Sequence, residues 1–176
     1  GLQEDQYKNS SIARLHWQYG EAEHNENGLR ILEKRHHLIK TSCTITKGRV
    51  QARLETSLIL HCIPQVISNK TENQAAAIFW RSFSLTDITD FVKSVGDKNP
   101  IHEGPAAVVP GILLLSEVLN TITDIKEVSM RFYHAALAGE ALYWKQLDMN
   151  HAEVHSGEKK IFNLSIGKPT VNGRND

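Results

Sequence analysis

One stretch of the chain, residues 111–122, constrains the fold more than any other, because its sequence GILLLSEVLNTI is apolar on nearly every side of a helix. A helix of this kind must be buried on most of its sides. The residues that follow, 126–171, alternate between apolar and polar with the period of two that strands show. We therefore predict an α+β fold in which a curved antiparallel sheet wraps around one long central helix.

The N-terminal part of the chain carries a separate β signal. In residues 50–58 the even positions are mostly apolar and the odd ones polar, as in a half-buried strand, and a further strand is predicted around 15–19. The polar residues 68–73 interrupt this pattern as a linker does. The sequence predicts a β-rich N-terminal extension at 1–75 and a main domain at 76–176. One interpretation of the extension is a partial, degenerate copy of the later strands.

The main domain begins with a short apolar strand at 77–83, and a helix follows it. Thr86 or Asp87 is the predicted cap of that helix, because short polar side chains satisfy the free N–H groups of a first turn. Gly96 is the predicted end, where glycine adopts a positive φ at low cost. A loop at 97–110 then leads into the central helix.

Composition excludes several classes of function. The 20 Lys and Arg residues balance 20 Asp and Glu residues, whereas a nucleic-acid-binding domain normally has a basic excess. The longest strongly apolar run, Ile112–Leu115, is far below the roughly 20 residues that cross a bilayer. The first eleven residues are polar and have no apolar core of a signal peptide. We expect a cytoplasmic protein with neither a nucleic-acid partner nor a membrane partner.

The loop after Gly96 carries an acid and a base. Asp97 follows the helix end directly, and His102 returns five residues later. Between them, Pro100 keeps Asn99 out of the helical region and makes the turn rigid. A carboxylate and an imidazole on one rigid loop can move a proton off a carbon and onto a leaving hydroxyl, which contributes typically ~10²–10⁴-fold to a rate.

The start of the central helix supplies an electrophile. Pro110 and Gly111 stand at its N-terminus, where the first N–H groups have no partner within the helix. Since Gly111 has no side chain, a thioester carbonyl can approach its N–H closely, and the helix dipole stabilises the enolate that forms on loss of an α-proton. Together with the acid–base pair, this arrangement indicates the addition or loss of water at the β-carbon of an acyl thioester.

The segment 96–102, Gly-Asp-Lys-Asn-Pro-Ile-His, resembles the signature G-D-x-N-P-[LIV]-H of the MaoC-like dehydratases, which include the (R)-specific enoyl-CoA hydratases. The resemblance covers about residues 78–170. It implies the hot-dog fold, with a long helix wrapped by an antiparallel sheet. It also implies that Asp97 and His102 are the catalytic pair that activates water. Gly111 would supply the oxyanion N–H and Asn99 would orient the loop, so that the predicted substrate-binding residues are Asn99, Pro110 and Gly111.

Two departures from that family pattern bear on the substrate. Only eight residues separate His102 from Gly111, a short spacing that is similar to the β-hydroxyacyl-carrier-protein dehydratases. The carrier of the acyl group, CoA or acyl carrier protein, therefore stays open. The end of the sequence is turn-like, so a final strand that the family normally has is either missing or supplied by residues 29–63.

The sequence thus predicts a lyase, a hydratase or dehydratase acting on 3-hydroxyacyl or 2-enoyl thioesters. It would need no metal and no redox cofactor, because CoA or acyl carrier protein arrives with the substrate. A homodimer is implied by the resemblance, since hot-dog domains usually pair edge to edge through their sheets. Two alternatives remain: a hot-dog acyl-CoA thioesterase, and a non-catalytic subunit that binds an acyl thioester or serves assembly.

Overall fold

The computed structural model of the chain describes residues 10–22, 27–60 and 77–167. Within these ranges the chain forms nine strands, two α-helices and a short 3₁₀ turn at Pro100–His102. The strands are β1 (Ser11–Glu21), β2 (Gly28–Arg35), β3 (Leu38–Lys47), β4 (Val50–Ile59), β5 (Ile78–Arg81), β6 (Glu127–Phe132), β7 (Leu142–Gln146), β8 (His151–Ser156) and β9 (Lys159–Gly167). The helices are α1 (Leu85–Val95) and α2 (Gly111–Thr121). The predicted α+β class is confirmed.

All nine strands belong to one antiparallel sheet in the order β2-β3-β4-β1-β6-β9-β8-β7-β5. The first four strands therefore extend the sheet that the last five form. The predicted linker at 68–73 and the predicted boundary between residues 75 and 76 lie outside the described residues, and the division into two domains stays a prediction.

The junction between the two halves of the sheet is the antiparallel pair β1–β6, in which Leu15 lies opposite Met130 and Trp17 opposite Val128. The sequence had left open whether residues 29–63 would complete the sheet of the main domain. In the structure the strand beside β6 is instead β1, which is the strand predicted around 15–19 and is longer than predicted. The last residues of the sequence lie outside the described part of the chain.

The core lies between α2 and the sheet. Leu114, Leu115 and Val118 of α2 are buried and belong to one cluster with apolar residues of β1, β6, β7, β8 and β9. The alternation read from the sequence explains this cluster, because every second residue of a strand faces the helix. The prediction for α2 was too strong in one respect: Ser116 and Asn120 are exposed, so one side of the helix faces solvent. No helix among the described residues is long and apolar enough to span a membrane.

Candidate active site

The candidate site begins at the two ends of α1. Ser84 caps the helix and forms a capping box with Asp87: the Ser84 hydroxyl accepts the Asp87 N–H at 3.1 Å, and the Asp87 carboxylate accepts the Ser84 N–H at 2.8 Å. The cap is therefore neither Thr86 nor Asp87, because Asp87 is the N3 residue that reaches back. Gly96 ends the helix with φ of 69°, as predicted.

The turn after Gly96 is held by hydrogen bonds that the sequence GDKNPIH encodes locally. The Asp97 N–H donates back to the Val92 carbonyl at 2.9 Å, which fixes Asp97 just past the helix end. The Asn99 N–H donates to Asp97 Oδ1 at 2.9 Å, and Asn99 Oδ1 in turn accepts the Ile101 N–H at 3.4 Å. Both contacts are of the kind by which short polar side chains hold tight turns. The 3₁₀ turn at Pro100–His102 then brings His102 back towards Asp97.

Asp97 and His102 meet in this loop. The Asp97 Oδ2 atom lies 3.4 Å from His102 Nε2. His102 is almost completely buried, whereas about a third of the Asp97 side chain remains exposed. The distance is longer than the 2.7–2.9 Å of a tight charge-assisted hydrogen bond. The two groups thus face each other closely enough for both to contact one small molecule.

The surroundings of Asp97 favour its ionised form. Hydrogen bonding to His102 is the largest influence and lowers the pKa of the Asp97 carboxyl below its usual 3.8. Burial opposes this shift, and the backbone N–H of Asn99 adds to it. Asp97 is consequently a carboxylate at neutral pH, a proton acceptor at the wall of a cleft.

The carbonyl of Val108 sets the proton arrangement of His102. His102 Nδ1 lies 2.6 Å from the Val108 oxygen. A carbonyl oxygen can only accept, so Nδ1 must carry the hydrogen of this bond. Nε2, the atom that faces Asp97, therefore donates to the carboxylate when the ring is protonated and has a lone pair when the ring is neutral. This contact was not foreseen from the sequence, since nothing in the local pattern indicates which carbonyl lies under the ring.

Gly111 and Pro110 stand where α2 begins. Pro110 is the N-cap residue, and its carbonyl accepts the first intrahelical bond, from the Leu114 N–H at 3.1 Å. The N–H groups of the first three helical residues therefore have no partner within the helix. A Cβ added at Gly111 would lie 3.0 Å from Ile12 Cδ1 and 3.4 Å from Phe132 Cζ. Glycine thus lets α2 pack closely on β1 and β6.

The acid–base pair lines a cavity that Gly111 does not line. A cavity of about 550 Å³ has Asp97 and His102 in its wall, together with residues of α1. Gly111, Pro110 and Asn99 are not among the described residues that line it. The separation is bounded, however: Val108, which accepts from His102, is three residues before Gly111, and three residues span at most about 11 Å.

Asn99 has a role in the fold that local sequence did not reveal. Its Nδ2 donates to the carbonyl of Ser10 at 3.2 Å, across 89 positions of the sequence. Ser10 is buried and immediately precedes β1. The N-terminal part of the chain therefore contacts the loop that carries Asp97 and His102.

A second group of titratable residues, His151, Glu153 and His155, lies on β8. Glu153 accepts hydrogen bonds from Lys160 at 2.5 Å and His155 at 3.1 Å. His151 pairs with Asp148 in the exposed turn between β7 and β8, at 2.9 Å. Over the described ranges, no three such side chains are arranged to hold a metal ion.

No protein-family model and no curated protein sequence matches the chain. Solved structures do match. HtdX from Mycobacterium tuberculosis has a TM-score of 0.64 at 16% identity, over 92% of this chain and 77% of that protein. A MaoC-like dehydratase from Phytophthora capsici has a TM-score of 0.61 at 11% identity, over 91% of this chain and 70% of that protein.

A thioesterase also matches. The 12:0-ACP thioesterase from Umbellularia californica has a TM-score of 0.54 at 10% identity, over 92% of this chain and 75% of that protein. In each case the match includes the N-terminal strands as well as the helix-bearing part, because about nine tenths of the chain is covered. The similarity to these structures, together with a nine-stranded antiparallel sheet packed on α2, shows that the chain has the hot-dog fold that its motif predicted.

Proposed function

We propose that the protein is a hydratase or dehydratase that interconverts 3-hydroxyacyl and 2-enoyl thioesters. The observation that carries this proposal is the 3.4 Å approach of Asp97 Oδ2 to His102 Nε2 in the wall of a cavity. Adding water to an enoyl thioester requires a group that takes a proton from water and then delivers one to the α-carbon, and this pair can do both in turn.

The geometry of the pair suits an activated water molecule. Nε2 of neutral His102 and the Asp97 carboxylate are both acceptors, so a water molecule that contacts both would donate one hydrogen to each. Its oxygen lone pairs would then point towards the β-carbon of the substrate. In hydration the new C–O bond forms as one O–H bond of the water breaks and its proton passes to the pair. The pair then delivers that proton to the α-carbon and returns to its starting state. In dehydration the same steps run backwards.

The start of α2 would hold the carbonyl. As the α-carbon loses or gains a proton, negative charge moves onto the thioester oxygen, and an N–H at a helix N-terminus stabilises that charge. Gly111 is the candidate donor, with Pro110 before it in the turn. Asn99 would position the loop through its contacts with Ile101 and Ser10. No metal or redox cofactor enters this scheme, and CoA or acyl carrier protein would arrive with the substrate.

We also propose a cytoplasmic homodimer, with a restriction from the fold. Both sides of β6 are already paired within the chain, one with β1 and the other with β9. A partner subunit therefore cannot add its sheet at β6, and a dimer would have to use another surface.

A thioesterase is the second candidate, because water held between Asp97 and His102 could also attack the thioester carbonyl. A non-catalytic protein that binds acyl thioesters is the third. The three are separated by their products: loss of enoyl absorbance without thiol release indicates hydration, thiol release indicates hydrolysis, and neither change with retained binding indicates a binding protein.

The test follows the absorbance of the conjugated enoyl thioester with crotonyl-CoA and longer enoyl-CoAs, while a thiol reagent monitors free CoA. We expect hydration by the wild type, and a fall in kcat/KM of about 10²–10⁴-fold in Asp97→Asn and in His102→Gln. The matched controls are Asp148→Asn and His151→Gln, which break an exposed pair of the same residue types. Equal rates in the wild type and the two site variants would refute the proposal.

A further inference from the structure

The cavity beside the acid–base pair has both apolar and basic residues in its lining. Leu85, Thr89 and Val92, all from one side of α1, form a mostly apolar wall. Lys93 and Lys98 also line the cavity and are exposed to solvent. Apolar side chains together with two exposed lysines fit a ligand that is uncharged near the reacting atoms and anionic further out.

The two lysines stand on either side of Asp97 in the chain. Lys93 is in the last turn of α1, and Lys98 directly follows Asp97. The left-handed Gly96 reverses the chain between them, and its N–H donates to the Lys93 carbonyl at 3.3 Å. This turn fixes the backbone of both lysines relative to Asp97.

Negatively charged side chains in the same cavity restrict where an anion can bind. Glu103 also lines the cavity, and it immediately follows His102. An anionic group would be repelled from Glu103 and Asp97 and attracted to the lysines, so the charge pattern orients an asymmetric ligand. The uncharged end of that ligand would reach the buried His102, and its anionic end would remain near the solvent-exposed rim.

We infer that Lys93 and Lys98 bind a phosphate of the phosphopantetheine arm that carries the acyl thioester. The amide-containing arm would lie along the wall that Leu85 and Val92 form, and the thioester would reach Asp97 and His102. This inference rests on the proposed function for its choice of ligand. The phosphate is common to CoA and to acyl carrier protein, so the site by itself recognises either carrier.

The test compares substrates that carry the same crotonyl group on different carriers. We expect the double variant Lys93→Gln/Lys98→Gln to raise the KM for crotonyl-CoA roughly three- to tenfold at low ionic strength, as exposed charge pairs do, with a smaller effect on kcat. The ratio of kcat/KM for crotonyl-CoA to that for the phosphate-free crotonyl N-acetylcysteamine thioester should fall by the same factor. The control is Lys126→Gln, a change of an exposed lysine beside β6.

Two further substrates distinguish CoA from acyl carrier protein as the carrier, and a binding measurement distinguishes the phosphate site from the proposed function. Crotonyl phosphopantetheine carries only the shared phosphate, and crotonyl acyl carrier protein adds the protein. An increase in KM with both substrates assigns the lysines to that phosphate, whereas an increase with crotonyl-CoA alone would overturn the assignment in favour of the nucleotide phosphates.

Titration calorimetry with CoA measures binding without any turnover. Lysine-dependent CoA binding without hydration would refute the proposed function and retain the phosphate site, and CoA binding that is absent or unchanged in the double variant would refute the site.

Discussion

The two halves of the sheet differ in what they bury. Strands β6, β8 and β9 place fully buried residues such as Val128, Val154 and Phe162 against α2. In contrast, β2 has no buried residue along its described length, and apolar residues such as Leu29 and Ile31 are about half exposed. The C-terminal half therefore contains the main core. The N-terminal half depends on that core through β1, which is the strand that contacts both.

This contrast bears on which N-terminal residues contact the surroundings of the candidate site. β1 contributes Leu15 to the core, Ile12 to the packing around Gly111, and, just before the strand, the Ser10 carbonyl to Asn99. The site thus draws on the N-terminal region through β1 and the residue before it.

The largest effect should distinguish β1 from β2. Leu15 is fully buried, so Leu15→Ala should reduce the free energy of unfolding by about 2–5 kcal/mol through lost burial and the resulting cavity. Leu29 is 57% exposed, and Leu29→Ala should change it by no more than about 0.5 kcal/mol. Urea unfolding of both variants measures this. Equal losses would mean that β2 belongs to the core as much as β1 does.

An intermediate effect should come from the contact between the loop and the N-terminal region. Asn99→Ala removes the cap of the 3₁₀ turn and the hydrogen bond to the buried Ser10 carbonyl, and should cost about 1–2 kcal/mol. It should also lower kcat/KM, because Asp97 and His102 lose their support. The control Asn150→Ala changes an exposed asparagine of the β7–β8 turn. A stable Asn99→Ala variant with wild-type kinetics would contradict a positioning role.

The smallest effect concerns the pH dependence of stability. Because the pKa of Asp97 is lower in the folded chain than its usual 3.8, its ionisation stabilises the fold above that pH, and this contribution is lost as the pH falls through the folded-state pKa. The stability difference between the wild type and Asp97→Asn should therefore be constant from pH 7 to about 5 and shrink below about pH 4. Urea unfolding across this range measures it. A difference that grows on acidification would mean that His102 does not favour the carboxylate.

Local rules predicted much of the loop. Gly96 at the helix end, Asp97 beyond it and Asn99-Pro100 in the turn follow from short-range preferences, and the structure shows each of them in place. The cap of α1 was placed two or three residues late. The reason is that Ser84 and Asp87 form a reciprocal pair, and either residue alone fits a capping position.

What the sequence alone determined is therefore local: the period of the strands, the apolar character of α2, and the spacing that brings an acid and an imidazole onto one short loop. What only the tertiary structure decided is long-range. The pairing of β1 with β6, the Val108 carbonyl under His102 and the Ser10 carbonyl at Asn99 all involve backbone groups. Every residue has such groups, so side-chain identity does not reveal which of them will meet, and only the closure of the whole sheet around α2 selects the partners.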